Sequence, residues 1–169
     1  MPVRLILIRH AKSAWDDPLA NDHARVLNDR GRRSATAIGQ WLATKGYLPG
    51  ECLCSDASRT RETWDLIAAE LPAPAPVQHM PELYHAGSQR LLSTLRNASA
   101  DTVALVAHNP GIGDFASGLL QRRSSHPRYA DYPTGATAVI DFDLQGWEVI
   151  APRSGSLTDF VVPRDLIDA

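Results

Sequence analysis

Val3-Arg4-Leu5-Ile6-Leu7-Ile8-Arg9-His10 joins a short apolar run to a guanidinium and an imidazole. An apolar run of this length, bounded by polar residues, predicts a strand buried on both faces, the pattern of a parallel sheet. Such a strand delivers the residues that follow it to the carboxyl edge of the sheet, where open α/β folds keep their ligand sites. An imidazole there can act as a nucleophile, and a neighbouring guanidinium can hold a phosphate through two parallel hydrogen bonds. The dipeptide needs partners elsewhere in the chain.

A second run, Thr102 to Ala107, has the same character and also ends in a histidine, His108 of His108-Asn109-Pro110-Gly111. If the two strands are parallel neighbours, both imidazoles reach the same edge. Glu51 to Ser55 reads as another strand, and Val77 to His79 as a further short one. The helix predicted over Ala57 to Leu71 places Arg59 in its first turn, just past a strand end. Arg9, His10, Arg59 and His108 therefore converge on a site for one small anion, with helix N-termini as added donors.

The remaining elements complete an alternation of strands and helices. Helix 1 is capped by Asn28 and stopped by Gly46, with Ala35, Ile38 and Leu42 on its apolar face. Arg30, Arg32 and Arg33 near its start oppose the macrodipole, which a nearby acidic group would explain. Trp64, Ile67 and Leu71 mark the buried face of helix 2, and Pro72 to Pro76 forms a stiff connector. Pro81 to His85 reads as a loop, Ser88 to Asn97 as helix 3, and Pro110 as the first residue of helix 4. Ala136 to Phe142 alternates like a half-covered strand, and Gln145-Gly146 predicts a hairpin into Trp147 to Ile150. These elements predict a three-layer α/β/α sandwich whose sheet is mostly parallel with an antiparallel edge.

Composition narrows the function classes. The 169 residues predict a single domain spanning 1–169, and 44% apolar with 21% charged content fits a globular protein. A formal charge of −2 supplies no field for nucleic acid or an anionic membrane, so phosphate affinity must come from a local cluster of cations. Cys52 and Cys54 alternate within one strand, which suits small buried residues better than a disulfide or a zinc site. With a strand so near the N-terminus and no long apolar run, a cytoplasmic protein with reduced thiols is expected. The chain lacks the P-loop, the dinucleotide-binding glycine pattern, the G-x-S-x-G elbow and H-E-x-x-H, so no metal or organic cofactor is expected.

Arg9-His10 after strand 1, Leu27-Asn28-Asp29-Arg30-Gly31, Ser55 to Thr63, Pro81-Glu82-Leu83 and His108-Asn109 occur in the order of the histidine phosphatase superfamily, which the chain resembles from about Leu5 to Phe142. Arg9-His10-Ala11-Lys12-Ser13, His108-Asn109-Pro110-Gly111 and Pro133-Thr134-Gly135-Ala136 are most similar to bacterial phosphohistidine phosphatases of the SixA type. The resemblance implies a phosphoglycerate mutase-like fold in which His10 attacks phosphorus and becomes phosphorylated. It also implies that Arg9, Arg59 and His108 hold the non-bridging oxygens, and that no metal is needed.

In the same resemblance Glu82 takes the place of the general acid, although a surface-loop glutamate is the ordinary alternative. Ser13 is a candidate substrate donor, and Lys12 either contacts substrate or is solvated. Ala11, Lys12 and Asp16 depart from the wider superfamily, and Asp16 would repel a phosphate dianion. Trp15 and Tyr84 are candidates for the mouth of the site or for packing. Arg25 either faces the pocket or pairs with local acids, while His23, His79, His85 and His126 are assigned to surface or packing roles. The expected partner is a phosphorylated protein, such as one with a histidine phosphotransfer domain, or a small phosphorylated metabolite. A non-catalytic phosphate-binding module is the alternative from another class.

Overall fold

The computed structural model describes residues 2–19, 21–73 and 75–167. Six strands form one sheet: β1 Val3–Arg9, β2 Glu51–Ser55, β3 Val77–Met80, β4 Thr102–Ala107, β5 Thr137–Phe142 and β6 Gly155–Val161, in the order β3-β2-β4-β1-β5-β6. The first four are mutually parallel, whereas β5 runs antiparallel to both β1 and β6. Four helices cover the sheet: α1 Asp29–Lys45, α2 Ser58–Ala68, α3 Ser88–Leu95 and α4 Gly111–Leu119.

Alternation along each strand splits the core into two layers. Leu5, Leu7, Val103 and Leu105 pack towards α3 and α4 with Leu91, Leu95, Ile112 and Phe115. Ile6, Ile8, Ala104 and Val106 face the other way, with Ile38, Leu42, Trp64 and Ile67 of α1 and α2. Both cysteines are free and buried in this second layer, where burial pushes the Cys54 thiol up to about 12. The fold is thus the α/β/α sandwich expected from the alternating pattern.

Helix ends follow local chemistry. The Asn28 side chain accepts from Gly31 N at 2.8 Å, and Gly46 ends α1 in the left-handed conformation at φ 75°. Of the early arginines of α1, Arg32 finds acidic groups: it donates to Glu62 of α2 at 2.7 Å and to Asp29 at 3.1 Å. Pro110 precedes α4 as its cap instead of starting it, after a cis Asn109–Pro110 bond. The Pro81–Leu83 segment is a single 3-10 turn. Pro74, within the proline connector, lies outside the described residues.

Two expectations about the sheet edge fail. Trp147–Val149 is a 3-10 turn, not the second strand of a hairpin, and its buried indole donates to Ala100 O at 2.7 Å. Trp147 and Ile150 are the buried pair, and a spacing of three suits a tight turn as well as a short strand. The antiparallel partner of β5 is β6, thirteen or more residues downstream of Phe142 in sequence. β5 is also covered on both faces instead of one, because both core layers extend over it: Ala138, Ile140 and Phe142 enter one layer and Val139 the other. Among the described residues no helix is long and apolar enough to cross a membrane.

Candidate active site

Register positions the two histidines. Arg9 pairs with Ala107 at the end of β1 and β4, so His10 and His108 leave the sheet side by side. Their ring centroids are 5.3 Å apart, and both side chains are buried. Arg59 comes from the first turn of α2, directly above the end of β2. These residues line a pocket of about 330 Å³ together with Lys12, Asp22, Arg25, His85 and Asn109.

The tautomer of His10 is set by two contacts. Its Nδ1 lies 2.7 Å from Ala11 O, an acceptor only, so Nδ1 carries the proton and donates it to that carbonyl. Nε2 then holds a lone pair, and Arg59 Nε–H donates to it at 3.3 Å. Burial, followed by the nearby Arg59, Arg9 and Arg25, drives the His10 pKa down to about 3, although the Ala11 carbonyl pulls the other way. The ring is therefore neutral at physiological pH, with an unprotonated nitrogen in the pocket.

His108 is also held well below the usual imidazole range, mainly by burial and then by His10 and Arg59. Its Nε2 meets Ser55 Oγ at 2.7 Å, while Nδ1 is buried with no partner among the described residues. Arg9 donates to Tyr132 O at 3.2 Å, and burial beside Arg59 lowers its pKa. Cations are thus concentrated where each makes the others less comfortable. An anion in this pocket relieves that repulsion.

Asp22 is the anion that the chain itself supplies, and no local sequence pattern marks it. Its carboxylate accepts from Arg25 at 3.0 Å, from Arg59 at 3.1 Å, from the Tyr84 hydroxyl, and meets His85 Nε2 at 3.0 Å. Its backbone carbonyl accepts from Arg59 Nη1 at 2.7 Å. The Tyr84, Arg25 and Arg59 donors hold the carboxyl far below its ordinary range. Arg25 does both things considered for it: it lines the pocket, pairs with Asp22, donates to Ser13 Oγ, and stacks over Trp15 at 3.6 Å.

The other predicted residues divide. Ser13 is buried in the pocket wall beneath Arg25, and Lys12 is exposed at the rim. Trp15 is 79% exposed at the mouth. Asp16 is exposed and stays outside the group of lining residues. Glu82 is not among the residues that line the pocket: it is exposed and lines two neighbouring depressions, one with Met80 and Arg90, the other with Tyr84, His85 and Ser88, so that His85 borders both that depression and the pocket. The 3-10 turn that begins at Pro81 sends the glutamate outward and buries Leu83. His85, expected on the surface or in packing, lies in the pocket wall instead. Its only sequence signal was its place three residues after Glu82.

Comparisons with known proteins bear on the family and the fold. The family model described as histidine phosphatase superfamily (branch 1) matches residues 5–87. A chloroplastic protein of Arabidopsis thaliana is 35% identical over 69% of this chain, which spans 58% of that protein's length. A Mycobacterium leprae protein is 32% identical, covering 93% of this chain and 100% of its own. Among solved structures, a candidate phosphohistidine phosphatase SixA from Nakamurella multipartitia superposes with a TM-score of 0.81 at 29% identity, covering 96% of this chain and 97% of that one. The chain belongs to the histidine phosphatase superfamily, and its fold is SixA-like.

Proposed function

We propose that this protein is a phosphatase that hydrolyses phosphohistidine on a protein substrate through a phosphohistidine intermediate on His10. One observation carries the reading: Nδ1–H of His10 is committed to the Ala11 carbonyl, and Nε2 faces the cationic pocket without a proton. A neutral imidazole of fixed tautomer is the nucleophile that phosphoryl transfer requires.

In the first step the His10 Nε2 lone pair forms a P–N bond as the bond to the leaving group breaks. Arg9 and Arg59 cover the negative charge on the phosphoryl oxygens, and His108 Nδ1 gains the partner it lacks inside the protein. Water then attacks phosphorus, and the electron pair of the P–N bond returns to His10. Guanidinium groups supply the charge neutralisation that a metal would otherwise provide, so the mechanism needs none.

The protein-borne substrate is favoured by the shape of the mouth. Among the described residues the link between α2 and α3 holds β3 and one 3-10 turn, and none of it forms a domain-sized cap over the pocket. An exposed Trp15 borders the opening.

Incubation with a ³²P-labelled histidine phosphotransfer domain tests the reading. We expect phosphate release and an acid-labile, base-stable adduct that the His10→Ala variant lacks, with no effect of EDTA. Release undiminished in His10→Ala, or activity lost to EDTA and restored by metal, overturns the mechanism. A metabolite phosphate turned over far faster than the phosphoprotein overturns the substrate.

A further inference from the structure

We infer that His85 is the proton donor to the leaving group and, in the second half-reaction, the base that takes a proton from the attacking water. The inference rests on the phosphatase reading above and assigns the step to the imidazole that lines the pocket; Glu82 is not among the pocket's lining residues and meets His85 in a neighbouring depression.

Placement is the first argument. His85 lines the same pocket as His10 and His108, and its side chain is half exposed, at the mouth instead of the floor. Its ring centroid lies 5.3 Å from that of His108 and 4.1 Å from that of Tyr84. With the phosphoryl oxygens directed to Arg9, Arg59 and His108, the leaving group extends outward past this ring.

The second argument is what holds it. His85 Nε2 meets Asp22 Oδ2 at 3.0 Å, so a protonated ring donates to a carboxylate that is itself fixed by Arg25, Arg59 and Tyr84. A carboxylate in that position orients an imidazole by accepting from one ring nitrogen, which leaves the other nitrogen for acid–base exchange. Asp22, Tyr84 and His108 face the His85 ring, and Glu82 and Arg90 line the neighbouring depression with it. Arg59 and His23 lie behind the Tyr84 ring.

Backbone conformation is the third. His85 has φ 56°, in the left-handed region that a side chain with a Cβ ordinarily avoids. Such a conformation persists only where the surroundings hold it, and it clusters at functional sites. Here it turns the ring into the pocket.

Elimination agrees. His10 and His108 are kept neutral by burial, and Asp22 is kept ionised by its donors, so none of the three has a proton to give near neutral pH. Arginine and lysine are ordinarily too basic to release one in that range. The exchange balances: with Nε2–H held by Asp22, the protonated ring passes its Nδ1 proton to the departing oxygen or nitrogen as the bond to phosphorus breaks. Neutral His85 then takes a proton from water as the hydroxyl oxygen bonds to phosphorus and His10 is released.

The consequence concerns substrate range, since a donor matters most for poor leaving groups such as alkoxides and phenoxide. The experiment measures the rate of His10 phosphorylation, by rapid quench, for wild type, His85→Asn and Glu82→Gln on 4-nitrophenyl phosphate and on phenyl phosphate. Asparagine tolerates the left-handed backbone, so the variant keeps the loop. Phosphorylation by the nitrophenyl ester, which needs little acid help, reports that the fold is intact. We expect His85→Asn to lose about 100-fold on phenyl phosphate and under about 3-fold on the nitrophenyl ester, with the wild-type ratio kept by Glu82→Gln. An equal loss of His85→Asn on both esters, no loss on either, or a leaving-group-dependent loss in Glu82→Gln overturns the assignment. A wild type with no turnover and no adduct on His10 overturns the phosphatase reading itself, an outcome visible before any variant is made.

Discussion

Arg59 Nε lies 3.3 Å from His10 Nε2, so a guanidinium N–H donates into the lone pair that the imidazole must keep free of a proton. The same guanidinium fork holds Asp22 through Nη1 and Nη2. One side chain thus keeps the attacking nitrogen in its reactive form and anchors the loop that closes the pocket. A phosphoryl group arriving between these residues competes for a cation already in use.

Arg59→Lys keeps the charge but loses the planar fork. We expect kcat to fall by about 100- to 1000-fold, checked by steady-state turnover of 4-nitrophenyl phosphate. A loss of only a few-fold would show that charge alone suffices.

The depressed His10 pKa, about 3, predicts that the nucleophile stays unprotonated well into acid. Phosphoenzyme formation, measured by rapid quench with labelled substrate, should persist at pH 5 with no loss of the attacking species near pH 6.5. A rate that halves near pH 6.5 because His10 itself protonates, seen as its imidazole resonance titrating there by NMR, would contradict the buried, neutral ring.

Stability should move with the same group. The folded value, about 3, lies below the ordinary 6.5, so between them the unfolded chain binds a proton that the folded chain refuses. Stability from this source is therefore complete above about pH 6.5 and is lost as pH falls towards 3. At pH 5 the loss from His10 is roughly 1–2 kcal/mol. Urea midpoints at pH 7 and pH 5 should show a smaller drop for His10→Gln than for wild type; equal drops would refute the linkage.

Two glycines hold the loops that carry the site. A Cβ on Gly111 would lie 1.8 Å from Ala86 O, and one on Gly31 would lie 2.0 Å from Lys12 O. Each neighbour is backbone and cannot swing aside, so Gly111→Ala and Gly31→Ala should each destabilise by about 3 kcal/mol. Gly118→Ala, in the same helix as Gly111 but with open space around it, should be neutral or slightly stabilising. Chemical denaturation of the three variants provides the check.

Much of this molecule is written locally. The runs Leu5 to Ile8 and Thr102 to Ala107 could only be strands covered on both faces, and each ends in a histidine that parallel pairing must bring to one edge. Asn28 and Gly46 announce the ends of α1 because capping depends on a few adjacent atoms. The apolar spacing of Ile38 and Leu42, and of Trp64 and Ile67, marks the faces that bury against the sheet. The meeting of Arg9, His10, Arg59 and His108 follows from these elements alone, since the end of each strand or start of each helix faces the same way.

Tertiary structure decided the rest, because local periodicity reports how much a residue is buried and not what it meets. Asp22 and His85 are 63 residues apart, on irregular segments with no period to read, yet they touch at 3.0 Å. Glu82 and His85 share one short turn, and only the burial of Leu83 beneath it determines which of the two faces the pocket. The partner of β5 was equally hidden: Trp147 and Ile150 satisfy a turn as well as a strand, and pairing with Gly155–Val161 is settled by contacts distant along the chain. Sequence by itself determined the scaffold and the phosphate pocket at its edge. Folding alone decided which acid and which imidazole close over it.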